Sequence, residues 1–104
     1  MIAHHQWQWV DESRSELSGV LNRDSVPELW AQLKAWQPQQ TSLEVSLANV
    51  ERVDSAGMVM LIHLLEHAKK RNCHIMLSFV PTQLSTLLTL SNVEKYIAEH
   101  IKTN

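Results

Sequence analysis

Hydrophobic and polar residues alternate along Gln6-Trp7-Gln8-Trp9-Val10, with Trp7 and Trp9 on one side. That two-residue period predicts a strand with one buried face. The polar stretch 11–15 reads as a turn, and 17–21 as a second strand containing Gly19. The short connection makes the pair a hairpin. The period then lengthens. Val26, Leu29, Trp30 and Leu33 share a helical face, and Pro38 ends the pattern. Ser25 and Glu28 have capping-box spacing, with Pro27 in the first turn, where no intrahelical donor is needed. Leu43, Val45 and Leu47 alternate in a third strand, and residues 49–54 read as a loop. A second helix is expected over 55–71 and a fourth strand over 75–80. A third helix follows over 82–90, with Leu84, Leu87 and Leu88 inward. A last short helix over 93–101 is anchored by Val93, Tyr96 and Ile97.

The order is β-β-α-β-α-β-α-α. Strands alternating with helices imply parallel neighbours joined by crossover helices. The expected fold is α/β: a four-stranded mixed β-sheet with helices packed mainly on one face. The 104 residues suit a single domain spanning 1–104.

Composition narrows the function classes. Hydrophobic residues make up 44% and charged residues 19%, a globular balance. A net charge of −2 argues against nucleic acid. The basic run Lys69-Lys70-Arg71 falls where a helix should end, and cations there complement its dipole. Cys73 is the only cysteine, which excludes an internal disulfide and fits a reducing compartment. No apolar run approaches the ~20 residues that span a bilayer, and the start of the chain has no signal-peptide pattern.

The second helix carries the strongest functional signal. Met58, Leu61, Ile62, Leu64, Leu65 and Ala68 form a core stripe. Ser55, Ala56, Val59, Met60, His63, Glu66, His67 and Lys70 fall on the opposite face. The last two turns of that face are polar, but Ala56, Val59 and Met60 in the first two are small or apolar. Scattered surface apolar residues, cover from another part of the chain, or a docking patch would each account for them. At the helix start either Asp54 or Ser55 can be the cap. Gly57 in the first turn is unfavourable by about 1 kcal/mol against alanine, which points to close approach by the sheet or a partner.

The run Val53-Asp54-Ser55-Ala56-Gly57, following a strand and opening a helix, resembles the signature of STAS domains, the anti-sigma-factor antagonists and their relatives. Two further stretches resemble the STAS subunits of phospholipid ABC transporters in Gram-negative bacteria. One is Leu17-Ser18-Gly19-x-Leu21 with Asp24 and Leu29-Trp30. The other is Leu61-Ile62-His63-Leu64 with Ala68-Lys69-Lys70. Those subunits often carry threonine and glycine where this chain has Ser55 and Ala56, and the Trp7 and Trp9 pair has no counterpart in the likeness. The resemblance implies a non-enzymatic, cofactor-free accessory subunit in the cytoplasm. It would be bound to a MlaF-like ATPase and, through it, to an inner-membrane permease. Such a complex moves phospholipid between membranes and maintains outer-membrane lipid asymmetry. The hydroxyl residue at the Ser55 position would lie at the ATPase contact, so Ser55, Ala56, Val59, Met60 and His63 are the candidate partner-binding residues.

Two rivals use the same helix. Ser55 matches the serine phosphorylated in anti-sigma-factor antagonists, and a phosphate there would add about −1.5 to −2 charge at a helix start. His63-Leu64-Leu65-Glu66-His67 fits the H-x-x-E-H zinc-protease pattern, but its side chains are expected on the solvent side with no cleft. The four tryptophans and Cys73 read as packing residues, and His4 and His5 as a loose terminus.

Overall fold

The computed structural model describes residues 2–102. In chain order it contains β1 (Trp7–Asp11), β2 (Arg14–Leu21), α1 (Val26–Ala35), β3 (Ser42–Val53) and α2 (Ser55–Lys69). Then come β4 (His74–Ser78), α3 (Thr82–Leu90), α4 (Glu94–Ile97) and a 3₁₀ turn over Ala98–His100. Residues 1, 103 and 104 of the expected domain lie outside the described residues. The sheet order is β1-β2-β3-β4. β1 and β2 are antiparallel, and the β2–β3 and β3–β4 pairs are parallel. The mixed four-stranded sheet is therefore as expected, with α1 and α2 as the crossover segments.

The β1–β2 turn is tighter than its polar run suggests. Only Glu12 and Ser13 lie between the strands. The Asp11 carboxylate accepts from the Ser13 backbone N–H at 2.9 Å and pairs with Arg14 at 2.9 Å. The Ser13 amide first, then Arg14, holds that carboxyl below its ordinary range.

Of the expected loop over 49–54, all but Asp54 is instead strand. β3 runs on to Val53, and parallel pairing with β2 continues from Glu16↔Ser46 to Leu21↔Val53 through two register shifts. Each shift breaks the alternation, so the exposed Asn49, Glu51 and Arg52 resemble loop residues. β4 pairs with β3 only as far as Ser46↔Ser78. Beyond that point the first turn of α3 takes over, and Gln83 Oε1 accepts from the Val53 N–H at 2.8 Å.

The core lies between the sheet and the helices. Leu17, Leu21, Leu43, Val45, Leu47, Ile75 and Leu77 are buried in one cluster with Met58, Leu61, Leu64, Leu65 and Ala68 of α2. Each such leucine contributes about 1.5–3 kcal/mol of burial. α1 adds Leu29 and Leu33, and α3 adds Leu84 and Leu88, with Leu87 only half-buried. Trp7 and Trp36 are buried, and Trp9 meets both at ring distances of 5.4 and 6.1 Å. Cys73 is buried too, and burial pushes its thiol up, away from nucleophilic use.

Three local expectations are corrected. Ser25 precedes α1, but no side chain caps that helix, and its hydroxyl donates to Val20 O at 2.6 Å instead. Tyr96 is no anchor; it is exposed, while Ile97 beside it is buried. His4 and His5 are in place, with stacked rings 4.5 Å apart. The tail covers the outer edge of β4. Lys102 N donates to Leu77 O at 2.8 Å, and His100 Nδ1 donates to Ile75 O at 2.8 Å. Lys102 Nζ meets the Glu44 carboxylate at 2.9 Å and holds that carboxyl below its ordinary range. A covered edge does not template pairing with other chains.

Candidate functional site

The start of α2 is built by three neighbouring residues. Asp54 is the cap: its Oδ1 accepts from the Ala56 N–H at 2.9 Å and the Gly57 N–H at 3.1 Å. Its own N–H donates to Leu21 O at 3.1 Å, which ties the cap to the end of β2. Gly57 lets the first turn press against that strand end, since a β-carbon there would stand 2.7 Å from Val53 Cγ2. The sheet, not a partner, is thus what approaches Gly57. Ser55 is left exposed, with the capping role taken by Asp54.

Between the starts of α1 and α2 lies a groove of about 420 Å³. Ser55, Ala56, Val59, Met60 and His63 line it from α2, and Val26 and Trp30 from α1. All five candidate residues therefore come together, though not as equals. Val59 is 45% exposed, whereas Met60 is only 2% exposed. The expectation that Met60 faces water is corrected. Counting around one helix assigns a single inward face, but α2 is packed on a second side by α1. Met60 forms the floor of the groove, Val59 stands on its rim, and Ala56 is half-buried. His63 is exposed at the other end, its ring 5.9 Å from that of Trp30.

Val26 and Trp30 are groove residues that the sequence pattern shows only as packing positions on one helical face, core or core-edge. Both are only half-buried. The available signal was width: Val26 and Trp30 are four apart and flank the Leu29–Leu33 stripe, so α1 carries more apolar face than one core contact uses.

Among the described residues, no group of three or more His, Cys, Asp and Glu side chains is placed to hold a metal ion. His67 Nε2 lies 2.7 Å from Trp36 O, and a carbonyl only accepts, so that nitrogen carries its proton and is engaged. His67 also stacks on Trp36 at 6.3 Å, which makes it a brace for the end of α1. Among the described residues, no helix is long and apolar enough to cross a membrane.

Comparison with known proteins agrees with this architecture. The family model described as Mlab, STAS domain, matches residues 7–100. The intermembrane phospholipid transport system binding protein MlaB of Haemophilus influenzae is 33% identical over 89 residues, covering 82% of this chain and 85% of that protein. The Escherichia coli protein of the same name is 34% identical over 77 residues, covering 74% and 77%. Among solved structures, the anti-sigma factor antagonist SpoIIAA superposes with a TM-score of 0.70 at 14% identity, covering 93% of this chain and 84% of that one. A sulfate transporter family protein from Wolinella succinogenes does so at 0.68 and 20% identity, covering 86% and 74%. At those identities the structures share the fold alone. The chain belongs to the STAS-domain family described by the Mlab model.

Proposed function

We propose that this single STAS domain is a non-enzymatic accessory subunit of an intermembrane phospholipid transport system. It docks on the system's ABC-transporter ATPase through the groove at the start of α2. The kinship with MlaB proteins supports the transport system as its setting. The observation that carries the docking role is the groove itself: an apolar floor and rim, with Val59 at 45% exposure and Ser55 exposed beside it. A few buried apolar contacts around such a residue supply most of an interface's affinity. The domain binds one assembled state of the ATPase better than others and stabilises it by that difference in affinity. It works on the cytoplasmic side, held at the inner membrane through the ATPase and its permease. Neither cofactor nor nucleic acid takes part.

Co-purification with the ATPase subunit tests this. Val59→Asp puts a charge on the rim, and Ser55→Arg puts bulk and charge at its entrance. Both variants are expected to fold and to lose the ATPase. Retention by both folded variants would remove the reading.

A second reading has one observation in its favour. The Ser55 side chain is exposed, not used as the cap, and so open to a kinase. A phosphate there would set a hydrated dianion against the apolar rim and break the same contact. Intact-mass measurement of protein from its native host distinguishes a phosphoswitch from a constitutive subunit.

A further inference from the structure

The groove has two walls from two helices, and both helix starts lead back to one buried side chain outside it. Gln6 is 6% exposed. Its Nε2 donates to Ser18 O and to Val20 O, each at 2.9 Å. Both protons of that amide are thereby used. The two carbonyls flank Gly19, whose φ of +76° places it in the left-handed region. This is also where β2 shifts register against β3. Gln6 thus clasps the irregular turn of β2 from the side.

Two branches run onward from this clasp. Val20 O also accepts the Ser25 hydroxyl at 2.6 Å, and Ser25 Oγ accepts from the Asn22 N–H at 3.1 Å. Val26 N then donates to Asn22 O at 2.8 Å, which opens α1 at a groove residue. The second branch passes through Leu21, whose carbonyl accepts the Asp54 N–H and packs against Gly57. That places the first turn of α2, with Ser55 and Ala56.

We infer that Gln6 is a positioning residue: it fixes the Ser18–Val20 bulge and so sets how far apart the two helix starts stand across the groove. The inference rests on the docking reading for its consequence in binding, but its structural content stands apart from it. Removing the amide takes one donor from each of the two carbonyls, leaving Val20 O with the Ser25 hydroxyl and Ser18 O without its side-chain partner. The strand then relaxes, and both walls move with it.

The test replaces Gln6 with methionine, close in size and without donors. In the free protein, the cross-peaks between the Trp30 and His63 rings and the methyl shifts of Val26 and Val59 report the groove. Affinity for the ATPase subunit reports the consequence. Leu88→Val, a core change in α3, is the control for lost stability. Gln6→Met is expected to shift all three groove signals and weaken binding about tenfold, while the control changes neither. Ser25→Ala removes the other donor to Val20 O. It is expected to act in the same direction and less than additively with Gln6→Met. If Gln6→Met does not fold, Ser25→Ala alone carries the test through the same signals. Groove signals that match wild type, or that move no more than in Leu88→Val, overturn the inference. A wild-type domain that does not bind the ATPase sinks the docking reading, and the free-protein signals still decide the role of Gln6.

Discussion

Gly57 and Leu21 meet with no room for a side chain between them: a β-carbon on Gly57 would overlap the Leu21 carbonyl oxygen and lie 2.8 Å from Leu21 Cβ. Two effects oppose each other in Gly57→Ala. Alanine favours the helix by about 1 kcal/mol. Overpacking against a backbone atom opposes it by roughly 1–3 kcal/mol or more, because the strand cannot swing aside like a flexible side chain. The clash should win, lowering stability by about 1–2 kcal/mol in urea unfolding. A more stable variant would show that the end of β2 yields.

Asp54 and Ser55 divide the helix start between structure and surface. Asp54→Ala removes the acceptor of two backbone N–H bonds and should lower stability by about 1 kcal/mol. Ser55→Ala should change it by less than about 0.5 kcal/mol, as for an ordinary surface position. Thermal unfolding of both decides the assignment, and the reverse ranking would make Ser55 the cap.

Most of the fold was legible because it is written in period. The expected bounds of α3 match those found, and the alternation of Leu43, Val45 and Leu47 marked the central strand. The failures share a cause. Where a residue has two neighbours, one helix wheel or one strand pattern describes only one of them. Met60 is turned from the sheet yet buried under α1. Asn49, Glu51 and Arg52 are exposed, yet lie in a strand paired with a bulged β2. The hydroxyl of Ser25 has the right spacing for a cap, but its oxygen accepts from the Asn22 N–H and its proton goes to Val20 O. The docking site was half visible for the same reason. Its α2 wall appeared as misplaced apolar residues, while Val26 and Trp30 looked like packing positions.

The pairing of Lys102 with Glu44 gives the tail a pH dependence. The ammonium lowers the carboxyl from its ordinary range in the folded state. A group lowered on folding stabilises above its unfolded value and loses that contribution as pH falls through the folded one. The window is therefore acidic, at and below the ordinary carboxylate range. The pair is partly solvated, so its worth is about 0.5 kcal/mol. Lys102→Met should lower stability by about that amount at neutral pH and by less as the solution is acidified, compared by urea unfolding at each pH. An undiminished difference at low pH would mean the lysine acts through packing rather than charge.

Leu90 is the most exposed large hydrophobic residue among those described, at 75%, and lies at the far end of α3 from its Gln83 contact with β3. Exposure alone does not make a docking residue. Leu90→Asp should leave both stability and ATPase binding as in wild type, so it serves as the charge control for the groove. Loss of binding in that variant would extend the contact across α3.

The most direct measurement is the dissociation constant of the ATPase subunit for three folded proteins: wild type, Val59→Asp and Leu90→Asp. A charge buried at the rim of a docking groove should weaken binding by at least about thirtyfold, while the same charge at Leu90 leaves it within about twofold. Equal constants for wild type and Val59→Asp would contradict the docking role of the α2 start.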